Sequence, residues 1–224
     1  MGFTGFSKDT LRFLSALRKN NHKKWFDAHR ADYEAHYVAP AQAFISAIAP
    51  ALRKLDPKIT ADPRVGGSLM RIFRDVRFSK DKTPYKGHLD LWFWSGEEKG
   101  WDVSGFFLRI TPEELMLGAG IHAFSPALLK HYRAAVLDAK KGDALAKTVA
   151  RLRRAGYEVG AETYKKTPKG IASDHPRATL LRHDGLNAAW EGKHPSELFA
   201  PGFVTFAAKH FKAVAPIHKW LADM

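Results

Sequence analysis

The sequence predicts an α+β fold in which a largely antiparallel sheet is packed by amino- and carboxy-terminal helices. Three observations predict it. Apolar residues recur at three- and four-residue spacing through the first quarter of the chain and again at its end. Between residues 69 and 121 the period changes to two. The last two alternating runs are joined only by the turn signal Thr111-Pro112, a connection short enough to require antiparallel neighbours.

At the amino terminus Ser7 is the expected N-cap, with Phe6 placed before it to pack on Leu11 as a hydrophobic staple. Leu11, Leu14 and Leu17 form one helical stripe that stops at Asn20-Asn21. A second helix carries Trp25, Phe26, His29, Tyr33 and Tyr37, and Pro40 is expected to break it. Phe44, Ile48, Leu52 and Leu55 define a third. Such wide aromatic stripes indicate core packing rather than a cofactor box.

Strands are expected over residues 69–78, 88–95, 103–110 and 114–121. In the first, Met70, Ile72, Val76 and Phe78 share a face that Arg74 interrupts, and Leu69, Arg71, Phe73, Asp75 and Arg77 share the other. Gly118 and Gly120 lie on one face of the last strand, where the missing side chains admit another element. Ser125-Pro126 starts a helix that Gly142 is expected to end. Leu145, Val149 and Leu152 mark the next, capped near Gly156. Residues 157–190 read as short strand and loop, and a last helix covers roughly 202–222.

The 224 residues show no internal repeat, low-complexity tract or Ser/Gly linker, so a single domain over 1–224 is expected. Absence of cysteine excludes disulfides, thiolate nucleophiles and cysteine-ligated metals and suits a cytoplasmic location. No apolar core of about seven residues stands near the start, and no apolar run approaches the ~18 residues of a membrane span. Neither a secretory leader nor a membrane partner is therefore expected.

The formal net charge of +13 is concentrated. Arg71 to His88 holds six Lys and Arg against two acids, and Arg151 to His183 holds eight against three. Clustered charge of this kind attracts phosphates and nucleic acid, whereas scattered lysines serve solubility.

The first cluster reads Arg71-Ile72-Phe73-Arg74-Asp75-Val76-Arg77-Phe78-Ser79-Lys80-Asp81-Lys82-Thr83-Pro84-Tyr85-Lys86. It resembles the hallmark of a widespread uncharacterised family, known only as a domain of unknown function: R-D-x-R-F, then S-K-D-K-x-P-Y-K. The resemblance extends over nearly the whole chain, through Asn20-Asn21 with Trp25-Phe26, Gly105-Phe106-Phe107-Leu108, and Pro168-Lys169-Gly170 before Asp174-His175-Pro176. It implies one fold throughout and no catalytic residues, since no activity comes with it.

Chemistry must be read from the side chains. On a strand Asp75 and Arg77 stand about 6.6–7 Å apart, where the carboxylate braces the guanidinium for bidentate capture of a phosphate or carboxylate. With Arg71, Lys80, Lys82 and Lys86, and with Lys169 from the second cluster, they form a candidate anion cradle. The competing reading is a structural ion network, the better description of Arg74, which shares an apolar face and needs an acid such as Asp90.

Metal and catalytic motifs are poor. His88-x-Asp90 is a two-ligand fragment, so no metal and no cofactor are expected. Neither a nucleophile elbow nor a phosphate loop is present. Trp92, Trp94 and Trp101 offer rings for base stacking or, more commonly, for packing. The expected function is binding of a phosphorylated or other anionic ligand, with nucleic acid, nucleotide and sugar phosphate in that class. A hydrolase or phosphoryl-transfer enzyme using Asp75 or Asp81 with His88 or His122 is the alternative, and a structural or interaction module is the third.

Overall fold

The structure, a computed structural model, describes residues 2–97, 100, 102–160 and 163–224. Trp101 lies outside the described residues.

Helix α1 (Lys8–Lys19) begins where the Ser7 hydroxyl accepts the Thr10 N–H at 3.3 Å. Then come α2 (Lys23–Ala28), α3 (Arg30–Tyr33), a π-helical turn over Glu34–Val38, and α4 (Ala39–Leu55). Pro40 does not break this run. Lacking an N–H, proline leaves the carbonyl four residues earlier without its helical donor. That carbonyl belongs to His36, and the buried Thr10 hydroxyl donates to it at 2.7 Å. A side chain from α1 thus replaces the lost bond, and the wider turn makes room for the ring.

Among the described residues one sheet forms, in the order β1 (Ile59–Thr60), β2 (Leu89–Ser95), β3 (Gly105–Ile110), β4 (Glu114–Ile121), β6 (Leu186–Lys193), β5 (Glu158–Val159). Every pairing is antiparallel. Strand β6 lies between β4 and β5 and was not separable from loop by sequence. Its inward positions alternate Leu186, Ala188 and Trp190, and alanine carries little strand preference.

Helices α5 (Pro126–Leu137) and α6 (Ala139–Arg154) meet at Asp138, whose carboxylate caps α6 by accepting the Lys141 N–H at 2.7 Å. Gly142 therefore sits inside α6 instead of ending a helix. A Cβ there would fall 2.1 Å from the Val136 carbonyl oxygen and 2.5 Å from an Arg177 nitrogen. Arg177 in turn donates to the Leu137 and Asp138 carbonyls and to Asp143, tying the second basic stretch to this junction. A short helix, α7 (Ala178–Leu181), and the long α8 (Phe203–Ala222) complete the chain.

The core lies between α4 and α8 and the sheet face bearing Leu91, Phe93, Phe106, Leu108 and Leu117. Phe106 meets Phe211 edge-on at 5.4 Å, and Phe44 meets Phe203 at 5.1 Å. The opposite face carries Asp90 and Trp92 on β2 across from Arg109 and Phe107 on β3. The Phe107 ring lies across Gly118, where a Cβ would come within 2.3 Å of it. This is the close approach that the glycine pattern predicted.

Residues 69–78 are not a strand of this sheet. Leu69 bridges Leu91, and the Met70 N–H donates to the Asp90 carbonyl at 3.0 Å, after which the chain leaves the ladder. What it builds instead is the site.

Candidate anion-binding site

Residues 71–88 form a projecting hairpin arm. At its base Phe73 bridges Tyr85, the Arg74 N–H donates to the Pro84 carbonyl at 2.9 Å, and the Lys86 N–H donates to Ile72 at 2.8 Å. Asn21 holds this base from α1's end. Its amide nitrogen donates to the Tyr85 carbonyl at 2.9 Å while its amide oxygen accepts the Tyr85 N–H at 3.0 Å, as a neighbouring strand would. The Tyr85 ring stacks on Phe26 at 4.3 Å.

Toward the tip, side chains replace ladder partners. Asp75 accepts the Arg77 N–H at 3.2 Å and Asp81 accepts the Thr83 N–H at 2.9 Å, two local turns of the kind aspartate favours over strand pairing. Pro84 brings no N–H to a ladder. These three residues explain why the period-two pattern did not become a sheet strand. Arg74 closes the loop, donating to the Asp81 carboxylate, the Thr83 hydroxyl and the Thr83 carbonyl with its side chain 27% exposed. Its partner is Asp81, not Asp90, and its role is structural. Arg74→Ala is expected to loosen the tip, so that trypsin cuts after Arg77, Lys80 and Lys82 severalfold faster than in the parent, read by timed digestion and mass spectrometry.

Beneath the arm runs a groove of about 420 Å³ lined by Arg18, Asn21, Arg74, Lys86 and His88, with Asp75 and Asp81 on the tip side. Arg18 reaches it from α1, donating to the Gly87 carbonyl at 3.0 Å and to Glu113 at 2.7 Å. Gly87 permits this approach, since a Cβ would fall 2.4 Å from the Arg18 chain. Behind the wall stands Asp90, contacted by His88 at 3.0 Å, Arg109 at 2.6 Å and Lys86 at 3.6 Å. The neighbours completing the His88–Asp90 pair are thus cations, which compete with a metal for the same carboxylate.

The predicted cradle residues divide. Asp75 and Lys86 line the groove. Asp75 also braces Arg77, at 2.7 and 3.0 Å, but this pair stands in solvent with the arginine side chain 76% exposed. Lys80 and Arg71 are exposed; Lys82 donates to the Val76 carbonyl at 2.9 Å. Lys169 is exposed and does not line the groove, and Gly170 beside it adopts a φ of +86° with nothing near it, so it serves a turn and not a close approach. Sequence reasoning missed Arg18 and Arg109, which carry no local motif. Asn21 was visible only as a helix stop and as part of the family pattern.

The Arg77 hydrogen bonds hold the Asp75 carboxyl down at about 2, and the Thr83 N–H and hydroxyl with Arg74 hold Asp81 at about 2. For Asp90, burial opposes ionisation, yet His88 and Arg109 outweigh it and keep the carboxyl well below the usual range. All three are anions at neutral pH. None is poised as a general acid, and carboxylates so stabilised are weak bases.

A second polar constellation was invisible in sequence because its members are far apart. Ser104 Oγ lies 2.9 Å from His218 Nδ1, and His218 Nε2 lies 3.0 Å from Asp56, which also accepts from Ser95 at 2.6 Å. The residue types are those of a nucleophilic triad. Ser104 is 5% exposed and His218 1%, however, so no substrate reaches the hydroxyl without opening the core. It is a buried network.

No helix among the described residues is long and apolar enough to cross a membrane. Comparison with curated proteins finds no match. A family model described as a conserved hypothetical protein (DUF2461) matches residues 9–220, from the first turn of α1 to near the end of α8 and including the whole arm, so the chain belongs to that family.

Proposed function

We propose that the groove beneath the arm binds a phosphorylated or otherwise anionic small ligand. The observation that carries this is the charge count around Asp90. Arg18, Arg74 and Arg77 each have a carboxylate of their own, in Glu113, Asp81 and Asp75. Lys86 and Arg109 share the single Asp90, with His88 also bound to it. The groove wall is therefore left with surplus positive charge. A volume of about 420 Å³ suits a small phosphorylated metabolite or a nucleotide. The low Asp75 and Asp81 values argue for binding over acid–base catalysis.

Thermal melts with inorganic phosphate against matched chloride test the reading. At about 10 mM phosphate a Kd of about 1 mM adds roughly 1.4 kcal/mol to stability, a rise of a few degrees. Lys86→Gln is expected to abolish the rise. Asp90→Asn, which keeps the shape but removes the competing charge, should tighten phosphate binding about three- to tenfold. A parent protein indifferent to phosphate, or a Lys86→Gln variant that responds like the parent, would count against it.

A further inference from the structure

The tip of the arm presents a feature that neither the groove nor the core uses. Among the described residues Phe78 is 94% exposed, far more than the other large apolar side chains on the surface, of which Phe73 comes next at 57%. Phe73 is accounted for, since it packs on Tyr85 and Phe26 at the arm's base. The Arg77 guanidinium carbon sits 5.8 Å from the Phe78 ring centroid. Close to it in the chain are Arg77, Lys80 and Lys82, all exposed, and the two lysines have no carboxylate partner among the described residues.

We propose that this tip docks single-stranded nucleic acid, with one unpaired base stacking on Phe78 while Arg77, Lys80 and Lys82 meet the flanking phosphates. The inference deepens the anion-binding reading and rests on it only through the arm's shared positive charge. An exposed ring costs solubility unless a planar or apolar partner covers it, and the adjacent charges say that partner is anionic. Nucleic acid supplies both parts, since every nucleotide joins a flat base to a phosphate. An acidic membrane supplies charge, but insertion would carry the guanidinium lying over one ring face toward hydrocarbon, where a cation is costly. Stacking leaves that guanidinium in place and uses the other face of the ring. A duplex is disfavoured because its bases are already stacked and a tip bearing one ring must open them to use it.

Anisotropy with a labelled single strand of about 12 nucleotides, a duplex of the same sequence and, by flotation, phosphatidylserine-containing vesicles decides the matter at about 50 mM salt. The parent is expected to bind the single strand in preference to the duplex. Phe78→Ala should weaken that binding roughly 5- to 150-fold. Phe78→Trp should retain it and Phe78→Leu should not, since leucine is apolar without being planar. All three changes are in solvent, so folding is not at risk. Absence of single-strand binding, equal affinity for the duplex, or a Phe78→Ala variant that binds like the parent overturns the proposal. So does vesicle binding that depends on Phe78 and survives in Phe78→Leu. Phosphate-dependent stabilisation in the melts with no oligonucleotide binding would overturn this proposal and leave the groove reading standing; the reverse result would overturn the groove reading alone.

Discussion

Replacing His218 by alanine is expected to lower the midpoint of thermal unfolding by roughly 6–12 °C, since about 3 kcal/mol is lost. The imidazole is 1% exposed and packs 4.8 Å from the Phe106 ring, so truncation leaves a cavity in the core. It also removes a hydrogen bond from each of Ser104 and Asp56. Burial pushes the His218 pKa down more than the Asp56 charge pulls it up, so the ring is neutral at pH 7. A carboxylate only accepts, hence the proton sits on Nε2 toward Asp56, and Nδ1 accepts from the Ser104 hydroxyl.

The sign of the pH effect follows. A histidine whose folded pKa lies below its unfolded value of about 6.5 contributes stability that is whole above that value and lost as pH falls through the folded pKa. Asp56 is also lowered, because hydrogen bonds from Ser95, Lys58 and His218 together overcome the opposing effect of burial. Its contribution is lost in a second, lower window beneath about 3.8. Melts from about pH 7 to about pH 5 should show the parent losing more stability than His218→Ala, whose remaining loss comes from His210, also lowered by burial. Parallel curves for the two proteins would refute the assignment.

Gly120→Ala is expected to be as severe, at about 3 kcal/mol, for two separate reasons. Gly120 has a φ of +140°, a conformation L residues rarely adopt, and a Cβ would lie 2.2 Å from the Leu186 carbonyl oxygen and 2.5 Å from the Asn187 Cα. Both contacts are backbone of β6, so nothing flexible can yield, and the pairing of β4 with β6 must distort. Gly156→Ala provides the control. Its φ of +82° is likewise left-handed, but no atom lies within 4 Å of the added carbon, so only the backbone strain of about 1 kcal/mol remains. Chemical denaturation of both variants separates the terms, and equal costs would show that the clash is relieved.

The functional expectations depend on how the hallmark divides. Arg74, Asp81, Thr83 and Tyr85 hold the arm's shape, whereas Arg77, Phe78, Lys80 and Lys82 stand in solvent and Lys86 faces the groove. On the proposed reading, ion pairing and anion capture, opposed as alternatives when the segment is read as a string, belong to different residues of one arm. An exposed pair such as Asp75–Arg77 adds little to stability, so changes at the tip should alter binding while leaving the fold intact.

By itself the sequence determined the fold class, the Ser7 cap and the strands near 89–95, 105–110 and 114–121. Each is written in local signals, an apolar period or a capping side chain. Tertiary structure alone decided four matters. Pro40 continues a helix because Thr10 from another helix serves the carbonyl it abandons. Residues 69–78 leave the sheet because Asp75 and Asp81 satisfy the backbone locally and Asn21 stands in for a strand. Arg18 reaches the groove across 69 positions of sequence, and Ser104, His218 and Asp56 meet across 114 and 162. Periodicity reports which way a side chain points relative to its neighbours in the chain; it carries no information about a hydrogen-bond partner that arrives from elsewhere in the fold.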